Sequence, residues 1–108
     1  MNPQMFQTLA QPNRLDIVEL LYKGPRPVND IVDRLHLNQP QVSKHLRILA
    51  DAGIVKVEPL AQQRFYRLKP QPFKELDSWL EKYRHMWNVR FDRLDTILKK
   101  SRHSGAKR

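Results

Sequence analysis

Residues 37–49 read LNQPQVSKHLRIL, and in this stretch Gln41, Ser43, Lys44, His45 and Arg47 alternate with Val42, Leu46 and Leu49. The polar types suit base-pair edges and the phosphates around them. A glutamine amide can pair with an adenine edge, lysine and arginine reach guanine or phosphate, and a serine hydroxyl bonds to either. Asn38 and Gln39 suit a phosphate, together with the amides of a helix N-terminus. At roughly 100° per residue, Val42, Leu46 and Leu49 fall within about 60° of one another. They form an inward stripe, with Gln41, Lys44 and Arg47 on the opposite side and Ser43 and His45 flanking the stripe. A short helix braced in this way presents a polar face that fits a major groove about 12 Å wide.

That use requires a rigid support on either side of the helix. Asn38 is a good N-cap, Pro40 suits the first turn, and Gly53 ends the helix as its C′ residue. Upstream, Val28, Ile31, Val32 and Leu35 predict an inward-facing helix over about 28–35, with Asp30 at the favourable end of its dipole. Before it, Pro12 opens a helix whose buried face is read as Leu15, Val18, Leu21 and Tyr22, and GPRP at 24–27 reads as a breaker. Residues 3–10 hold Met5, Phe6 and Leu9 on a first short helix. Downstream, IVKVEP and RFYRL alternate around LAQQ and predict a β-hairpin. Pro70 and Pro72 open a helix over about 72–100. Four helices, a two-stranded wing and a last helix make a mainly α chain with a small β-hairpin, a winged helix-turn-helix. It is read as one domain over 1–101 followed by a basic tail over 102–108.

Composition points the same way. The 108 residues include 20 Lys and Arg against 11 Asp and Glu, a formal charge of +9, and no cysteine. So basic a short chain favours a polyanion, nucleic acid before membrane. Thiolate zinc sites, disulfides and cysteine nucleophiles are excluded. No secretory leader or membrane span is legible, so a cytosolic protein without a membrane partner is expected. The three glycines are scattered and make no phosphate-cradling loop. The acids stand singly among cations, so no enzyme is expected.

The stretch LHLNQPQVSKHLRILADAGIVKVE resembles the helix-turn-helix of the ArsR/SmtB family of bacterial winged-helix repressors, in S-x-H-L and A-G-I-V above all. The similarity extends from LAQPNRLDIVELL to RFYRLKP. It implies a dimeric, operator-binding repressor of double-stranded DNA, with N- and C-terminal dimerisation helices. His36 stands where the family has a turn glycine. The wing tip, LAQQR, lacks the usual glycine and leaves Arg64 to reach a minor groove or phosphate, with Gln62 and Gln63 as weaker donors.

Many members of the resembled family sense a metal. The positions of one thiolate pair fall here on Pro27 and Asn29. At the other site only His85 is present, with Tyr83 and Thr96 where further ligands would stand. Neither cofactor nor metal is therefore expected: His45 matches a DNA-helix position of the resembled family and is counted with the DNA-binding residues, and a surface or packing role is read for it and for His103 in place of a ligand role. The last helix resembles a metal-ligand-free subgroup with W-x-x-x-Y-R-x-x-W, here Trp79, Tyr83, Arg84 and Trp87. Its apolar residues, Leu76, Trp79, Leu80, Tyr83, Trp87, Phe91 and Leu94 among them, fall on one arc and predict a subunit interface, covered in part by Met5, Phe6 and Leu9. Two other readings stand beside this one: a winged-helix module that docks proteins, and a metal-responsive repressor with a different ligand set. The effector, if any, is not legible.

Overall fold

The computed structural model describes the backbone of residues 2–105 and the side chains of residues 2–86, 88 and 93–98. Of the tail expected over 102–108, residues 102–105 continue the last helix and 106–108 lie outside the described residues, as do the side chains of Trp87, Phe91 and His103. The order is α1 (Pro3–Leu9), α2 (Pro12–Tyr22), β1 (Arg26–Pro27), α3 (Val28–Leu35), α4 (Gln39–Asp51), β2 (Val55–Leu60), β3 (Gln63–Leu68) and α5 (Pro70–Gly105).

Each helix start has a local cause. Asn2 and Gln11 cap α1 and α2 by accepting from the amides of Gln4 and Arg14, each at 3.0 Å, with Pro3 and Pro12 at the first helical positions. The first-turn proline lacks only an N–H that would have had no helical partner. At α4, Asn38 Oδ1 accepts from the Gln41 amide at 2.9 Å, and Gln41 Oε1 accepts from the Asn38 amide at 3.1 Å. This is a reciprocal capping box. α4 ends in a Schellman motif: the Gly53 amide donates to Ala50 and the Ile54 amide to Leu49, each at 2.9 Å, with Gly53 at φ +76°. Leu49 and Ile54 are fully buried beside this turn, the apolar contact that accompanies the motif.

The sheet is three-stranded and antiparallel in the order β1-β3-β2. The sequence predicts a hairpin and a breaker, but Arg26 and Pro27 of GPRP pair with Tyr66 and Phe65. A strand of two residues is too short to show alternation, so its glycine and prolines dominate the sequence signal. The wing also closes more tightly than expected. Leu60 pairs with Gln63, leaving Ala61 and Gln62 as the turn, with Ala61 at φ +55°.

The chain divides into two compact units, 1–74 and 75–108. The first has its core at Met5, Ile17, Val18, Leu21, Ile31, Val42, Leu46, Leu49, Ile54 and Val55. The face of α2 differs from the sequence expectation. Leu15 and Tyr22 are 44% and 81% exposed, and Ile17 takes the central place at 0%. Ile17, Val18 and Leu21 keep the i, i+1, i+4 spacing of a narrow stripe, which a window over all apolar residues blurs. Met5, expected at a subunit interface, is buried within the single chain at 5% exposure and belongs to the core.

The second unit is the bulk of α5. Trp79 and Tyr83 stand one turn apart with ring centroids 4.9 Å apart, and Lys82 Nζ lies 5.2 Å from the Tyr83 ring centroid. Arg84 bonds to Asp77 and Glu81 at 2.8 and 2.6 Å. No helix of the described residues is long and apolar enough to cross a membrane.

Candidate nucleic-acid interface

α4 is held by its buried stripe, Val42, Leu46 and Leu49, each no more than 1% exposed. Gln39, Gln41, Ser43, Lys44 and Arg47 are exposed on the helix, with Asn38 exposed at its cap. The support behind the helix is stiff. α4 packs against α2, α3 and β2, and α3 is tied to the sheet through Asp30. Asp30 accepts from Arg26 at 2.7 Å and from Arg34 at 3.2 Å. The Arg26 guanidinium, helped by Arg34, holds the Asp30 carboxyl below its ordinary range.

Arg26 and Arg34 share the single carboxylate of Asp30, and Lys56 and Arg67 share that of Glu58. Among the described residues Lys44, Arg47 and Arg64 form no ion pair. Their charge is thus available to an external anion without an internal partner having to be displaced.

Three of the sequence-predicted residues take other roles or carry a second one. The Gln41 Oε1 is engaged in the capping box, so a two-point pairing with adenine would first require the cap to open; the amide nitrogen alone is left to donate. Asn38 has its Oδ1 occupied in the same way. In the first turn Pro40 has no N–H and the Gln41 amide is bonded to Asn38, which leaves the Gln39 amide for a phosphate. His45 lies half-buried beside the stripe, with Nδ1 buried and without a partner among the described residues. Burial, reinforced by the charges of Arg14 and Lys44, pushes its pKa below the ordinary value of 6.5. The half-buried ring packs beside the stripe, and its surroundings favour the neutral imidazole.

On the wing, Gln62, Gln63 and Arg64 are exposed. A solvent-open concavity brings Gln63 and Arg64 together with Gln39 of α4 and with Pro27, Val28 and Asn29. Asn29 is the residue that sequence reasoning missed. The only signal for it is the pairing of Pro27 with Phe65, which fixes the start of α3 next to the wing. Among the described residues no group of three or more His, Asp or Glu is gathered as a metal cage would require.

A braced helix with a cationic outer face, followed by a β-hairpin, defines the winged helix-turn-helix class. Residues 11–57 match the description of bacterial regulatory proteins of the arsR family. An HTH-type transcriptional regulator of Mycobacterium tuberculosis is 35% identical over 78 residues, covering 72% of this chain and 73% of the relative. The chain belongs to the arsR family. The repressor SmtB of Mycobacterium tuberculosis is 43% identical over 65 residues, 60% of this chain, which span about half, 48%, of the relative's length. Among solved structures, the transcriptional repressor BigR from Xylella fastidiosa superposes with a TM-score of 0.62 at 31% identity, over 72% of this chain and 77% of that one.

Proposed function

We propose that the protein is a transcriptional repressor that binds double-stranded DNA as a homodimer and occupies an inverted-repeat operator in the cytoplasm. The observation that carries this reading is the outward face of α4. Ser43, Lys44 and Arg47 stand exposed on a helix whose opposite side is locked in the core, and the two cations form no ion pair among the described residues. Lys44 and Arg47 act on guanine edges or phosphates, Ser43 on either, and Gln39, Gln62, Gln63 and Arg64 hold the backbone. No catalytic role and no cofactor belong to this reading.

Dimerisation is supported by α5 considered alone. Leu80, Tyr83 and Leu94 are 37, 38 and 49% exposed, followed by Ile97 and Leu98 at 61 and 44%. An apolar row of this length on one helix marks an interface. In the other unit, Phe6 of α1 is 43% exposed and Leu9 is partly exposed, so both are accessible to a second copy. A two-fold pair sets its recognition helices about 34 Å apart, one turn of DNA.

Selection of bound duplexes from random DNA tests the proposal. The expected product is an inverted repeat with half-sites one helical turn apart, enriched by the full chain. Recovery of unrelated sequences, or of none, would overturn it.

A further inference from the structure

The concavity between the wing and the start of α3 was not anticipated by any element taken alone. It draws side chains from three places: Val28 and Asn29 in the first turn of α3, Gln39 at the head of α4, and Gln63 and Arg64 on β3. We infer that this concavity seats one DNA backbone phosphate per protomer, with Arg64 as its cation and Asn29, Gln39 and Gln63 as its neutral donors. The inference rests on the DNA-binding reading above and adds Asn29 to it. It also gathers the backbone contacts of Arg64, Gln39 and Gln63 onto a single phosphate.

The chemistry of the lining supports an anion. The site contains a guanidinium and three side-chain amides but no carboxylate. The guanidinium has no ion pair among the described residues, whereas Arg67, three positions along the same strand, is paired with Glu58 at 3.0 Å. An arginine fork and amide N–H groups match the geometry of phosphate oxygens. The volume, about 250 Å³, holds a phosphodiester oxygen cluster with several waters at about 30 Å³ each.

Geometry favours backbone over base. The lining joins the head of the recognition helix to the wing, the two elements that flank a groove wall. The pairing of Pro27 with Phe65 fixes the start of α3 against the wing, so the backbone that carries Asn29, Gln63 and Arg64 is placed before DNA arrives. That spares backbone ordering, while the exposed side chains of Gln39, Gln63 and Arg64 order on binding.

The test measures affinity and salt dependence for the selected operator with full-length Arg64→Ala, Arg64→Lys and Asn29→Ala. Arg64→Ala should weaken binding roughly tenfold or more, equally for operator and random duplex, and lower the salt slope by about 0.9 for each seat lost. Arg64→Lys should restore the slope. Asn29→Ala should weaken binding without changing the slope. Methylphosphonate substitution should identify one linkage per half-site whose neutralisation removes the effect of Arg64→Ala. If the wild type binds DNA while the Arg64→Ala and Asn29→Ala variants keep its affinity and slope, the seat is wrong and the DNA reading stands. If Arg64→Ala changes sequence preference instead, Arg64 reads bases and the seat is likewise wrong. If only free inorganic phosphate binds, and the wild type holds no duplex, both readings fail.

Discussion

His45 illustrates how one side chain within a recognition stretch can serve the core. Its Nδ1 is buried and without a partner among the described residues, and the neighbouring charges of Arg14 and Lys44 are positive. The neutral imidazole is therefore favoured in the folded state, while the unfolded chain takes up its proton near the ordinary pKa of 6.5. Above that pH the group contributes nothing to the pH dependence of stability. As pH falls below it the unfolded state binds more protons, and stability is lost until the lowered folded pKa is passed. Denaturant titrations between pH 7 and pH 5 should show wild-type stability decreasing with a component that His45→Gln lacks. Parallel pH profiles for the two proteins would refute the neutral assignment. Position 45 also shows the limit of a helical wheel: it places the residue at the edge of the stripe, but burial of one ring nitrogen depends on what α2 places opposite.

At the scale of elements, most helix boundaries are written in local chemistry. Pro3, Pro12, Asn38, Pro40 and Gly53 each act within a turn of their own position, so a single sequence exposes them. What could not be read depends on distant residues. The strand Arg26–Pro27 exists because Phe65 and Tyr66 pair with it, and Asn29 enters the candidate site through that pairing. Two residues without Cβ-free backbones sit in the left-handed region, His36 at φ 56° and Ala61 at φ 55°. A β-carbon there costs about 1–2 kcal/mol, offset in part by the roughly 0.4–1 kcal/mol that glycine loses through its freer unfolded chain. His36→Gly and Ala61→Gly should each therefore be neutral or raise stability by up to about 1.6 kcal/mol, read by denaturant midpoint. Asn38→Ala should lower it by about 0.5–2 kcal/mol by breaking the capping box. Clear destabilisation by either glycine would mean that the native side chain makes contacts that outweigh its backbone strain.

For the whole molecule, the question is what covers α5. The helix was legible in its existence and its apolar face, because Leu76, Trp79, Leu80 and Tyr83 recur at 3.6-residue spacing, but it runs Pro70–Gly105 where about 72–100 was expected. Its occupant was not legible, since a stripe looks the same whether it meets its own chain or a second copy. Leu80 and Leu94, 37 and 49% exposed in the single chain, should become buried in a homodimer. Leu80→Glu with Leu94→Glu places charges in that interface, and breaking such a contact is strongly unfavourable. Sedimentation should give a dimer for the full chain at micromolar concentration and a monomer for the double variant, with operator binding weakened accordingly. A wild-type monomer, or an unaltered dimer in the variant, would place the interface elsewhere.

The central claim is that the outward face of α4 reads DNA, and operator affinity across salt tests it most directly, for the wild type and for Lys44→Ala with Arg47→Ala. Both side chains point away from the core, so folding stability should change by no more than about 0.5 kcal/mol per substitution. Each lost base contact should cost about 1–3 kcal/mol of binding. If a dimer makes 6–10 phosphate contacts, wild-type affinity should fall on the order of 10³–10⁵ between 50 and 200 mM salt. A flat salt response, or wild-type affinity in the folded double variant, would contradict the account.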